Sequence, residues 1–186
     1  KAYDLMKLKL ITHYVPSNII KSLKEDLISS SPNTNEKVNS IINQYSTNPN
    51  SSESILLEND QIIKDAFSFD TVEEIFNKCE LISSSGNEFI KSQLDELKHK
   101  SPTSLKISLR QIRSASKMSL KDELIMEYRM VQKCVEIGDF FEGVRAMLVE
   151  KDRKPAWNPS NIKDIDDDKV NKFFESLGDQ DLILTK

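Results

Sequence analysis

The sequence predicts an all-α fold, and three observations carry that prediction. Its 186 residues include only four glycines and six prolines, about half of average usage, which leaves little material for the tight turns of a many-stranded protein. Apolar residues recur at spacings of three and four in one segment after another, and no stretch alternates as a half-buried strand would. Several of these segments also open on a helix-start signature of hydroxyl or acid, with a proline or a second acid behind it.

Taken in order, residues 2–10 carry Leu5, Met6, Leu8 and Leu10, a short helical signal, and Pro16 stops the run that follows. Ile19, Ile20, Leu23 and Leu27 give residues 18–28 one apolar face. After a polar connector around Pro32, Val38, Ile41, Ile42 and Tyr45 repeat the pattern over about three turns. Residues 46–54 read as a second, mobile Ser/Asn-rich connector. Ile62, Ile63 and Phe67 mark the next helix. Asp70 with Glu73 predicts a capping-box start for a helix bearing Val72, Ile75, Phe76 and Cys79. Beyond a turn at Gly86 come Phe89, Ile90, Leu94 and Leu97.

Ser101-Pro102 is a strong start, with an N-cap hydroxyl and proline at the first helical position, and Leu105, Leu109 and Ile112 follow. Ser119 with Asp122 opens the longest helix, whose expected face is Leu120, Leu124, Tyr128, Val131 and Val135, with Gly138 closing it. Asp139 with Glu142 restarts a helix through Val144, Met147 and Leu148. Gly143 inside it predicts a close approach by a neighbour. Pro155 and Pro159 bracket an extended piece holding Trp157. Asp166 then caps a last helix with Val170, Phe173, Phe174 and Leu177, ended by Gly178.

Composition narrows the function. A formal charge of −4 and a pI near 5.4 argue against general nucleic-acid binding, which wants clustered cations. No run of about 18 apolar residues predicts a membrane span. Cys79 and Cys134 form no paired motif, so both read as small core residues in a reducing compartment. No signal or transit pattern stands at the start. The chain opens on Lys1 in place of Met, and the expectation is a piece of something longer.

The chemistry-bearing residues are few. Every glycine has a local task, so none is left for a phosphate-cradling loop. His13 and His99 lack ligand-spaced neighbours, and His13 reads as a hydrogen-bonding structural residue. Asp164, Asp166, Asp168 and Glu175 mimic a calcium-loop pattern, but Lys169 stands where that loop needs glycine, so they read as acids at a helix N-terminus. Glu123, Glu127, Glu136 and Glu142 are carboxylates without visible partners, and no nucleophile elbow occurs. One cluster stands out: Lys151, Arg153 and Lys154 follow an apolar helix and precede Trp157. Three cations beside aromatic surface suit a phosphate, and they also suit a solvated helix C-terminus.

Three segments carry a resemblance: residues 101–110 (SPTSLKISLR), 126–129 (MEYR) and the run from 139–146 (DFFEGVRA) through 150–157 (EKDRKPAW). They resemble the C-terminal half of the 3-hydroxyisobutyryl-CoA hydrolase family, within the crotonase (enoyl-CoA hydratase/isomerase) superfamily. Residues 12–15 (THYV) and 71–75 (TVEEI) fit the same order. The resemblance implies the helical C-terminal part of a crotonase-like α/β fold whose N-terminal core is absent here. Within residues 1–186 it implies linker helices over 1–46, middle helices over 55–100 and C-terminal helices and tail over 101–186.

It further implies a mitochondrial thioester hydrolase of valine breakdown whose oxyanion-hole amides and catalytic acids lie outside this chain. No catalytic residue is therefore assigned here, and the chain alone is expected to be inactive. No metal and no cofactor are required, CoA being part of the acyl-CoA substrate. The expected partners are that substrate, the chain's own N-terminal core and a homo-oligomer. By the same resemblance Lys151 is the residue that meets the phosphate end of CoA, while Leu148 replaces a family aromatic and Lys9 a family glycine. A non-catalytic ribosomal subunit, the one reading with nucleic acid nearby, and a related hydratase or isomerase are the alternatives.

Overall fold

A computed structural model describes residues 1–50, 54–137 and 139–184. Eleven α-helices lie among the described residues, with no strand. The chain divides into two compact units, Lys1–Ile63 and Lys64–Lys186.

The first unit contains α1 (Ala2–Lys7), α2 (Ile20–Ser30), α3 (Asn35–Tyr45) and α4 (Ile55–Glu58), with the boundary inside α5 (Asp60–Phe67). Helices α2 and α3 form a hairpin on half-buried Leu23, Leu27, Val38 and Ile41, as their spacing predicts. His13 is hydrogen-bonded on both ring nitrogens, to Thr12 at 2.9 Å and Asn43 at 3.0 Å. Three expectations need correction. Helix α1 stops at Lys7. Helix α2 starts at Ile20 behind a single 3₁₀ turn, Ser17–Ile19. Ser54 is no part of a mobile connector: it is 3% exposed, donates to the buried Asp4 carboxylate and caps α4 by accepting from the Leu57 N–H. Residues 51–53 of that connector lie outside the described residues.

The end of α1 explains the Lys9 departure. The Lys9 N–H donates to the Met6 carbonyl and the Leu10 N–H to that of Leu5, the paired closure of a Schellman motif. That closure puts Lys9 at φ 56°, a conformation glycine adopts freely and L-residues resist.

The second unit opens with the antiparallel pair α6 (Val72–Ser84) and α7 (Glu88–Lys98), joined through Gly86 at φ 93°. Their shared core is Val72, Ile75, Cys79, Ile90 and Leu94, each large apolar side chain contributing about 1.5–3 kcal/mol by leaving water. The cap of α6 is Thr71 and not Asp70. The Thr71 hydroxyl accepts from the Glu74 N–H and donates to its carboxylate, because a hydroxyl at the last extended residue satisfies the first turn.

Helices α8 (Pro102–Ala115), α9 (Leu120–Ile137) and α11 (Asp167–Asn171) gather a second core of Ile107, Met126, Met130, Ile165, Val170 and Phe173, and α10 (Asp139–Val144) packs on α9. Cys134 packs half-buried against it. Ser101 and Ser119 cap α8 and α9 as predicted. Lys106 ties α8 to its neighbours, reaching Glu73 and the Ile165 carbonyl at 2.6 Å each.

The apolar face expected of α9 is not the packed one. Met126 and Met130 are buried, while Leu120 is 76% and Val131 58% exposed. The helix carries two apolar stripes roughly 120° apart, and among the described residues only the Met126–Met130 stripe is buried. Ile112 on α8 is exposed as well. The last helix is shorter than predicted. It stops at Asn171 and loosens into turns, and Gly178 (φ 62°) begins a further 3₁₀ turn. The closing role expected of Gly138 lies outside the described residues.

Candidate functional site

The site is the segment from the start of α10 to Pro159. Asp139 and Glu142 do not form the predicted capping pair. Both carboxylates reach across space. Asp139 accepts from the Ser101 hydroxyl and from the Asn158 N–H at 3.2 Å. Glu142 accepts from the Ala156 N–H at 2.6 Å and from two guanidinium nitrogens of Arg145 at 2.7 and 2.8 Å. The segment 156–158 is thus fastened onto α10 at two points.

After Val144 the helix widens into a π-helical turn, Arg145–Val149, a local geometry that recurs at functional positions. The predicted helix through Met147 and Leu148 is therefore not α-helical there, and Met147, Leu148 and Val149 are exposed instead of forming core. The turn closes with the Glu150 N–H donating to the Arg145 carbonyl at 2.8 Å, and the Arg153 N–H donates to the Ala146 carbonyl at 3.1 Å. Between those bonds Lys151 (φ 59°) and Arg153 (φ 57°) both take the left-handed conformation.

All three predicted cations, Lys151, Arg153 and Lys154, are exposed on this loop. Arg145 is the residue the sequence reading passed over. Its guanidinium reaches Glu142 on one side and, through Nη1, Glu150 at 2.5 Å and Asp152 at 2.8 Å on the other, with Nη2 donating to the Lys154 carbonyl at 3.2 Å. The signal was present in the spacing: Glu142 lies three residues before Arg145, and two acids alternate with the cations behind it.

Electrostatics follow from these contacts. Arg145, and after it the Ala156 N–H, hold the Glu142 carboxyl down at about 2, and Arg145 lowers Asp152 likewise. Carboxylates so stabilised are weak proton acceptors at neutral pH. Of the other glutamates, Glu127 accepts from Gln111 at 2.8 Å and Glu136 pairs with Lys133 at 2.7 Å. Burial raises the thiols of Cys79 and Cys134, which makes them poor nucleophiles. Asp166 caps α11 by accepting from the Lys169 N–H, the ordinary role for an acid there.

Next to the loop, Trp157 donates its indole N–H to the His99 carbonyl at 3.0 Å. Its ring lies 3.4 Å from the place a Cβ on Gly143 would occupy, so the close approach predicted at that glycine is a packed aromatic. Trp157, Ser101, Leu105, Cys134, Phe140 and Phe173 line a largely apolar half-open cavity of about 420 Å³. The arrangement offers cations and apolar surface, which suit binding of a phosphorylated ligand, and its acids are committed to holding the loop.

Residues 1–174 match the family described as Enoyl-CoA hydratase/isomerase. The chain belongs to the enoyl-CoA hydratase/isomerase family. It is 38% identical over 99% of its length to the mitochondrial 3-hydroxyisobutyryl-CoA hydrolase of Xenopus laevis, and 38% identical over 98% to that of Homo sapiens. The chain spans about half the length of these curated relatives, 48% and 47% respectively. Among solved structures it is similar to a carnitinyl-CoA dehydratase from Mycobacterium thermoresistibile, at TM-score 0.79 and 25% identity over 97% of this chain and 48% of the other. An enoyl-CoA hydratase from Rhodobacter sphaeroides 2.4.1, TM-score 0.73 at 22% identity over 91% of this chain, shares the fold.

Proposed function

We propose that these residues are the helical half of a 3-hydroxyisobutyryl-CoA hydrolase. One observation carries the reading: identity of 37–38% that runs collinearly through 98–99% of the chain to several proteins of that name. In the whole enzyme water adds to the thioester carbonyl, the C–S bond breaks, and free CoA and 3-hydroxyisobutyrate leave. Backbone N–H groups that stabilise the developing oxyanion, and an acid to move the protons, come from the other half of the polypeptide.

This half completes the fold, covers the acyl-CoA site and takes part in subunit contacts. The exposed stripe of α9 supports that role, since a contiguous apolar face in water favours a partner. Lys151 contributes a cation to the phosphate end of CoA, supported by its exposure beside two further cations. CoA enters as substrate and no separate cofactor is required. The relatives' names support a mitochondrial setting, and valine breakdown is the pathway that the resemblance to this hydrolase family implies.

Turnover tests the reading. The longer protein should release CoA thiol from 3-hydroxyisobutyryl-CoA, and the 186 residues alone should not. Release by these residues alone would overturn it. So would a longer protein that hydrates enoyl-CoA and leaves the thioester intact.

A further inference from the structure

Lys151 sits between two acids, Glu150 and Asp152, and Glu142 lies close behind. Left to themselves those carboxylates would attract the lysine ammonium and repel a phosphate, so a working cation here needs them occupied elsewhere. One guanidinium does that. Arg145 takes Glu142 at 2.7 and 2.8 Å, Glu150 at 2.5 Å and Asp152 at 2.8 Å, and it anchors the Lys154 carbonyl. Its five fixed donors allow this, whereas an ammonium has three donors on one point.

The same contacts set the backbone. Glu150 and Asp152 flank Lys151 on either side, and tying both to one group holds Lys151 and Arg153 at φ 59° and 57°, conformations that L-residues keep only when the surroundings impose them. Within residues 142–154 the chain carries four cations against three acids. Removing Arg145 both evens that balance and frees three carboxylates beside the loop.

We propose that Arg145 is the positioning residue for Lys151: it neutralises the neighbouring acids and holds the loop so that the lysine ammonium is available to the CoA 3′-phosphate. The inference rests on the reading of Lys151 as a CoA contact, and the experiment separates the two. In the full-length protein, KM is measured for the acyl-CoA and for the corresponding dephospho-CoA thioester, which lacks the 3′-phosphate, in Arg145→Gln, Arg145→Lys and Lys151→Gln.

The expected result is a KM for the acyl-CoA raised about five- to tenfold in Arg145→Gln and Lys151→Gln, with kcat within about twofold. KM for the dephospho thioester should stay near the parent value in both. Arg145→Lys keeps the charge without the fork and should still raise KM for the phosphorylated substrate. It also carries the test if Arg145→Gln fails to fold, as a thermal melt would show. Unchanged KM in Lys151→Gln sinks the Lys151 reading itself. A raised KM there with Arg145 variants at parent values, or Arg145 variants that weaken both substrates alike, overturns the positioning role. Full recovery in Arg145→Lys does so too.

Discussion

Arg129 and Asp181 meet through two parallel hydrogen bonds, 2.7 and 2.5 Å, and bind the tail of the chain to the middle of α9. Asp181 also accepts from the Ser176 hydroxyl at 2.6 Å. Both side chains are mostly buried, so the pair is charge-assisted and poorly screened. Asp181→Asn should lower the thermal midpoint by about 3–6 °C, and Asp181→Glu should recover part of it. A melt unchanged in Asp181→Asn would show that the tail adds nothing.

Acid should loosen the loop beside α10. The Glu142 carboxyl is depressed from 4.5 to about 2, first by Arg145 and then by the Ala156 N–H. A depressed carboxyl stabilises the fold fully above its unfolded pKa and loses that contribution as pH falls through the folded one. The window is therefore from about pH 4.5 down to about 2. Thermal midpoints taken across it should fall less steeply in Glu142→Gln than in the parent. Equal slopes would contradict the assignment.

Gly143 tests the packing of Trp157. A Cβ there meets the ring at 3.4 Å, ordinary contact, so Gly143→Ala should be tolerated and gain up to about 1 kcal/mol of helix propensity. Gly143→Leu sets a branched side chain against that ring and should cost about 1–3 kcal/mol. Urea unfolding midpoints distinguish the two, and equal midpoints would remove the steric argument.

Lys9→Gly should stabilise the protein by about 1 kcal/mol, because φ 56° is free to glycine and costly to lysine. Lys9→Val, branched at Cβ, should do the opposite. A destabilised Lys9→Gly, read by urea midpoint, would mean the side chain holds something more valuable than the turn.

Lys151→Glu in the full-length protein should raise KM for CoA substrates more than it lowers kcat. A remote phosphate contact is made equally in ground and transition states. Steady-state kinetics over substrate concentration give the split, and an unchanged KM removes the contact.

How much of this was legible in the sequence differs between elements. Helices α6 and α7 were readable because their apolar residues gather on one face, and α8 because Ser101 and Pro102 mark its start. Helix α9 misled because it has two stripes, and periodicity alone does not say which is packed. In the site, the exposed cations and the close approach at Gly143 were visible from residue type and spacing. Of Arg145 only the i,i+3 spacing from Glu142 was visible; a π-helical turn and two left-handed residues gather its other partners, and no local pattern announces those. Ser54 likewise reads as connector until the Asp4 carboxylate arrives from fifty residues away.

The indole bond from Trp157 to the His99 carbonyl has a practical side. With a single tryptophan in these residues, their intrinsic emission comes from one ring at the junction of α7, α10 and the cationic loop. Any event that lifts segment 155–159 off α10 should shift that emission to longer wavelength. Ligand-driven motion around Lys151 can thus be followed by unlabelled fluorescence in real time.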